Sequence, residues 1–127
     1  MRRIVVDMQN YLFADAVALA LQNSDSDFDV HMSENPDNTA QLCSLCVPYA
    51  LLMEVTAHHP WRLEDRLAIQ QEVKRNNPHC RTVLIVDENA DKELAARVVQ
   101  AKKDGVIDNF IYSSVSAAYL SAFVDTL

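Results

Sequence analysis

Two textures of apolar and polar positions alternate along the chain. Short, β-branched apolar runs at residues 3–7, 28–32, 49–55, 82–86 and 107–112 read as buried strands. A strand covered on both faces shows a continuous apolar run rather than alternation. Between these runs lie longer segments with apolar residues at threes and fours, the spacing of one helical face. In residues 11–22 they are Leu12, Phe13, Ala16, Val17, Ala20 and Leu21, and residues 39–46 form a shorter version. Residues 62–76 carry Leu63, Leu67, Ile69 and Val73 among charges, and residues 91–103 carry Leu94, Ala95, Val98, Val99 and Ala101. Residues 115–127 place Val115, Ala118, Tyr119, Ala122 and Phe123 on one stripe. That stripe predicts a core role for Tyr119 and Phe123 ahead of an interface role, because each helix must bury one face.

Turn residues divide the chain at the same places. Residues 23–27 form a polar turn, and residues 35–38 form a loop able to supply a helix cap. Pro78 stops the third helix at the preceding asparagines, since proline restricts the residue before it. Gly105 follows Lys102 and Lys103, the expected glycine cap with cations at the helix's negative end. Ser113 or Ser114 is the predicted cap of the last helix. The outcome is five βα units in one α/β domain over residues 1–127, without linker or repeat. Such units build a doubly wound parallel sheet with right-handed crossovers. Ligands meet such sheets at the carboxyl ends of the strands, where Asp7, Glu54 and Asp87 fall.

Composition narrows the function classes. Half the residues are hydrophobic and 23% are charged, which excludes disorder. No apolar run approaches the roughly 18 residues of a membrane helix, and Asp7 interrupts the N-terminal run before it resembles a signal peptide. A cytoplasmic protein is expected. The formal net charge of −7 opposes direct contact with nucleic acid by this domain. The chain has a single glycine, so neither a dinucleotide fold nor a phosphate loop is present. Three cysteines do not suit a secreted disulfide framework. Cys43 and Cys46 form a C-x-x-C late in a helix, away from the N-terminus that activates such thiols, and read as packing residues. A zinc site with His58, His59, His79 or Cys80 is the alternative, but the spacing of a zinc module is missing.

Three stretches carry a resemblance. Residues 10–19, from Asn10 through Leu12, Phe13, Ala16 and Val17, are similar to the first helix of receivers attached to LuxR-type helix-turn-helix outputs. Pro48-Tyr49-Ala50-Leu51-Leu52-Met53-Glu54-Val55 resembles the third strand of a response regulator receiver, which bears the phosphoacceptor aspartate. Asp104-Gly105-Val106-Ile107-Asp108-Asn109-Phe110-Ile111-Tyr112 resembles that family's approach to strand five. The resemblance spans nearly the whole chain and implies the flavodoxin-like receiver fold, strand order 2-1-3-4-5.

It also implies a site, from which this sequence departs. The family's reaction needs an aspartate nucleophile, further carboxylates to hold magnesium, a hydroxyl and a lysine. Glu54 takes the nucleophile's place, with an added methylene that pushes its carboxylate away from in-line geometry. The acidic pair ending strand one reads as Met8-Gln9 or, shifted by one, Asp7-Met8. Val86 or Asp87 falls where the hydroxyl belongs, and Tyr112 or Ser113 where the lysine belongs. A solvated strand-end carboxylate remains the plain alternative for Glu54. Phe110, matching an aromatic switch position, reads first as core.

The expectation is therefore a non-enzymatic signalling module, a pseudo-receiver with no cofactor and doubtful magnesium binding. It is expected to dimerise or dock a protein partner through a face bearing Phe110, Tyr112 and Tyr119. Control of transcription would run through an attached or partner DNA-binding output. The competing reading is a small α/β enzyme or phosphocarrier using Asp7, Glu54 and Asp87 as a carboxylate cluster.

Overall fold

The computed structural model describes residues 1–127. The five apolar runs become β1 (Arg2–Asp7), β2 (Phe28–Met32), β3 (Ala50–Glu54), β4 (Arg81–Val86) and β5 (Asn109–Tyr112). They form one sheet in the order β2-β1-β3-β4-β5, with every neighbouring pair parallel. The helices are α1 (Tyr11–Ser24), α2 (Thr39–Cys46), α3 (Leu63–Asn76), α4 (Lys92–Lys103) and α5 (Ala117–Asp125), with a short 3-10 turn, Pro36–Asn38, before α2. None is long and apolar enough to cross a membrane.

The pleat of the sheet divides the core. Val5, Leu51, Met53, Leu84 and Val86 face α2, α3 and α4, while Ile4, Val6, Leu52, Val83 and Ile85 face α1 and α5. Side chains alternate along a strand, so consecutive residues of these runs must enter opposite layers. That is why the runs read as continuous apolar stretches.

Caps fix where the helices start. Asn10, Asp91 and Ser116 each accept an N–H from three residues on, in Phe13, Leu94 and Tyr119. The cap of α5 is thus Ser116 rather than Ser113 or Ser114. Ser113 still donates its backbone N–H to Val86, extending the sheet, and the helix cannot begin until the chain has left it. At the other end of α4, Gly105 takes φ +74, and the N–H of Val106 bonds the carbonyl of Ala101. This glycine closure turns Val106 and Ile107 off the helix, so β5 starts at Asn109, two residues later than the apolar run suggests.

The α5 stripe is also corrected. The buried residues are Leu120, Ser121 and Val124, whereas Tyr119 is 54% exposed. Starting the helix at Ala117 turns that face away from the sheet, and Tyr119 stacks on half-buried Phe123 at 6.3 Å instead of entering the core.

Candidate functional site

The carboxyl ends of β1 and β3 are neighbours, with Asp7 opposite Met53, and what their side chains do there defines the site. Asp7 ends β1 and points toward α2 and α3, where it is 1% exposed. Arg66, at the end of the first turn of α3, is 0% exposed and extends its guanidinium between the two strand ends. Its Nη1 donates to Asp7 Oδ2 at 2.7 Å, and its Nη2 to the Asp7 carbonyl at 3.1 Å and Oδ1 at 3.3 Å. Its Nε donates to the Glu54 carbonyl at 2.7 Å. Thr39, at the start of α2, donates its hydroxyl to Asp7 Oδ2 at 2.6 Å. The Thr39 proton is thereby spent, so Ser33 donates across the 2.7 Å separation between the two hydroxyls. Every charged atom of the buried pair has a partner, which is the condition under which an ion pair is tolerated away from water.

Glu54 leaves the sheet on the opposite side. Its Oε1 accepts the backbone N–H groups of Gln9 at 2.7 Å and Asn10 at 3.1 Å, just ahead of α1. The extra methylene of glutamate over aspartate supplies the reach. Met8, between Asp7 and Gln9, is buried in the layer under α1 and α5. Only the backbone of Gln9 serves the site.

Asp87 follows β4, and its Oδ1 accepts the N–H groups of Asn89 at 3.0 Å and Ala90 at 3.1 Å within its own loop. Val86 is buried in the layer beside α4 and pairs with Tyr112 across the ladder. Tyr112 is partly exposed and meets Phe110 edge to face at 5.5 Å. Phe110 packs partly on the α4 side of the core. Ser113 is half-buried, and Ser114 donates its hydroxyl to Glu88.

Asp7, Glu54 and Asp87 therefore share the strand-end pole without converging. Asp7 turns to α3, Glu54 to the α1 loop and Asp87 to its own turn. No group of three or more His, Cys, Asp or Glu side chains is gathered to hold a metal. The carboxylate cluster of the enzyme reading is not assembled, because each carboxylate is drawn to a different donor. Of the three, Asp7 is the buried one, and its carboxylate already carries the Arg66 guanidinium.

Arg66 is the residue of this strand-end network that pattern reading passes over. It falls in the burial phase of α3, Leu63, Arg66, Gln70, Val73, where a charge is ordinarily excluded. An arginine in phase with the apolar stripe, rather than opposite it, was the available signal.

Cys43 lies one turn beyond Thr39 on α2, near enough to the Asp7 carboxylate to feel its charge, contrary to the expectation that it sits away from the strand-end acids. It belongs to the same buried layer as Cys80. All three thiols are free. Burial pushes the Cys43 thiol far up, pushes Cys80 up to about 11, and raises Cys46 as well. A raised pKa suppresses the thiolate that reacts. In the native protein, a thiol-selective reagent is expected to leave Cys43 and Cys80 unmodified over a time that labels all three in urea. Replacing Cys43 and Cys46 by alanine should cost on the order of 1–2 kcal/mol, with no change in bound zinc by elemental analysis.

No protein-family model matches the sequence, and no curated protein matches it. Solved structures do match in fold. A response regulator receiver domain protein from Clostridium thermocellum superposes with a TM-score of 0.78 at 13% identity, over 99% of this chain and 93% of that one. The signal receiver domain of the response regulator NarL from Mycobacterium tuberculosis gives 0.73 at 16% identity, over 98% and 94%. A response regulator protein from Burkholderia pseudomallei, with a phosphorylated aspartic acid, calcium ion and citrate, gives 0.72 at 20% identity, over 96% of this chain and 65% of that one. With its strand order, its five flanking helices and these neighbours, the chain has the fold of response regulator receiver domains.

Proposed function

We propose that this chain is a signal-transduction module of receiver type that works without magnesium-dependent phosphorylation. The observation that carries the proposal is the buried Arg66–Asp7 pair. A guanidinium resident on the strand-one carboxylate leaves that group unable to hold a divalent ion without first breaking a buried ion pair. Glu54, the counterpart of the phosphoacceptor, has its Oε1 committed to two backbone amides. Tyr112 or Ser113 takes the place of the lysine that the resemblance calls for, so the cation that would help neutralise a transferring phosphoryl group is missing. The matched Burkholderia pseudomallei regulator bears a phosphorylated aspartic acid with a calcium ion. The present chain places Glu54 at the end of β3 and the Arg66 guanidinium on Asp7 at the end of β1.

Signalling in this reading is by association. Tyr112 and Tyr119 are exposed, Phe110 and Phe123 back them, and this face is our candidate for a homodimer or protein partner. A transcriptional output, attached or supplied by the partner, is the readout proposed for it.

Incubation with acetyl phosphate and magnesium, followed by intact-mass measurement, is expected to show no adduct, and beryllofluoride is expected to leave association unchanged. A stoichiometric, acid-labile phosphate on Glu54 would defeat the proposal. Glu54→Gln keeps one amide acceptor and removes the charge. It should leave association and output within about twofold, roughly 0.4 kcal/mol. A tenfold change would identify Glu54 as a built-in activating charge.

A further inference from the structure

The outward side of α1 is apolar, where a helix on a sheet ordinarily turns charged and polar residues to water. The side toward the sheet is Ala14, Val17, Ala18 and Leu21. On the opposite side Leu12 is 80% exposed and Leu19 58% exposed, with exposed Ala16 between them. Their spacing of four and three residues puts the three on one line. Ala118 and Ala122 continue the exposed surface on α5. That helix lies alongside α1, and its Ser121 hydroxyl donates to the Ala20 carbonyl at 3.4 Å.

Between the two helices an apolar cleft of about 140 Å³ runs down to the sheet. Phe13, Ala20, Ala117 and Leu120 wall it, Ile85 and Ile111 form its floor, and no charged side chain lines it. That volume suits one large apolar side chain, since a cavity of about 150 Å³ holds a benzene ring. Although 23% of the chain is charged, the 14 residues of α1 and 9 of α5 hold only Asp15 and Asp125. Asp125 is already paired with Arg2.

We infer that this face meets the same face of a second copy, about a two-fold axis near Ala16, with an exposed leucine of each copy seated in the other's cleft. Shape and charge both select a second copy. The protruding leucines and a cleft that fits one of them share a face, which is the self-complementarity a two-fold contact requires. Two chains of net charge −7 repel each other, so copies meet most readily where each is nearly free of charge. The area sets the strength. At about 1.5 Å per residue α1 is roughly 21 Å long and the helix pair roughly 20 Å across, a face of about 400 Å² on each copy. That is about half of the roughly 800 Å² per partner of a standard stable interface. The dimer is therefore weak and reversible, with a dissociation constant on the order of 10–100 μM. The inference does not depend on whether Glu54 accepts phosphate, and it leaves the Tyr112 and Tyr119 face to a different protein.

Sedimentation equilibrium of the full chain tests it. A monomer–dimer equilibrium is expected, and added salt should strengthen it by screening the net repulsion. Leu12→Lys combined with Leu19→Lys should weaken the dimer at least tenfold at an unchanged thermal midpoint, because both side chains are exposed. These substitutions also lower the net negative charge, so the loss cannot come from repulsion between whole chains. Tyr119→Ala and Leu45→Lys, on other faces, should leave dimerisation within about twofold. Amide resonances of Ala16, Ala20 and Ala117 should move as the parent protein is concentrated, a readout that needs no variant. A chain that stays monomeric well above that concentration would overturn the inference. So would a dimer that survives the lysine pair, that salt dissociates, or that Tyr119→Ala or Leu45→Lys dissolves instead.

Discussion

Replacing Arg66 with methionine is expected to cost about 3–5 kcal/mol of unfolding free energy, because it strands the Asp7 carboxylate in the core without a cation. The guanidinium makes four hydrogen bonds, three to Asp7 and one to the Glu54 carbonyl, and both Arg66 and Asp7 are buried. Asp7→Asn should be costly in the same sense, since it leaves Arg66 charged and buried opposite a neutral amide. Combining the two removes both charges, leaves Thr39 an amide oxygen to bond, and should recover a large part of either loss. A coupling of about 2 kcal/mol or more is expected from urea midpoints at unchanged slope. If Arg66→Met falls within about 1 kcal/mol of the parent, the pair is not a lock between strand ends. The proposal that it keeps magnesium from Asp7 would then lose its physical basis.

The same pair shows where sequence reasoning stops. All five strands and five helices were legible, because burial on both faces of a parallel sheet leaves apolar runs that no other arrangement explains. The 28–32 and 39–46 segments have the bounds expected of them. The site was legible only as positions. Strand ends can be counted, which places Asp7, Glu54 and Asp87 at one pole, but the direction of each side chain depends on donors elsewhere in the chain. Arg66 lies 59 residues from Asp7 and the Gln9 amide 45 from Glu54, beyond any local pattern. Tyr119 failed for a nearer reason. Its apolar spacing with Phe123 is genuine, but Ser116 sets the rotation of α5 and gives the buried face to Leu120 and Val124. Spacing reports that a helix has a face, and the cap decides which way it looks.

A second polar network gives the pH dependence. Asp108, ahead of β5, accepts the N–H of Thr82 at 3.0 Å and its hydroxyl at 3.2 Å, and pairs with the Lys74 ammonium. Gln70 completes the set, accepting the Thr82 hydroxyl at 2.7 Å and donating to the Val106 carbonyl at 2.7 Å. Burial opposes ionisation of Asp108, but the Lys74 ammonium and the Thr82 donors outweigh it and hold its carboxyl below the usual range. A carboxyl with a lowered folded pKa stabilises the protein above its unfolded pKa, about 3.9. That contribution is lost as pH falls through the unfolded value toward the folded one, because the unfolded chain takes up the proton first. Asp108→Asn should therefore cost about 1–2 kcal/mol at pH 7, discounted from a fully buried ion pair because both side chains are partly exposed. The gap between variant and parent should narrow below about pH 4 and close as Asp108 itself becomes protonated. Urea midpoints of the two proteins at descending pH measure it directly. A gap that stays constant from pH 7 to well below 4 would show that Asp108 acts through packing, and that its charge contributes nothing to holding α3 against the start of β5.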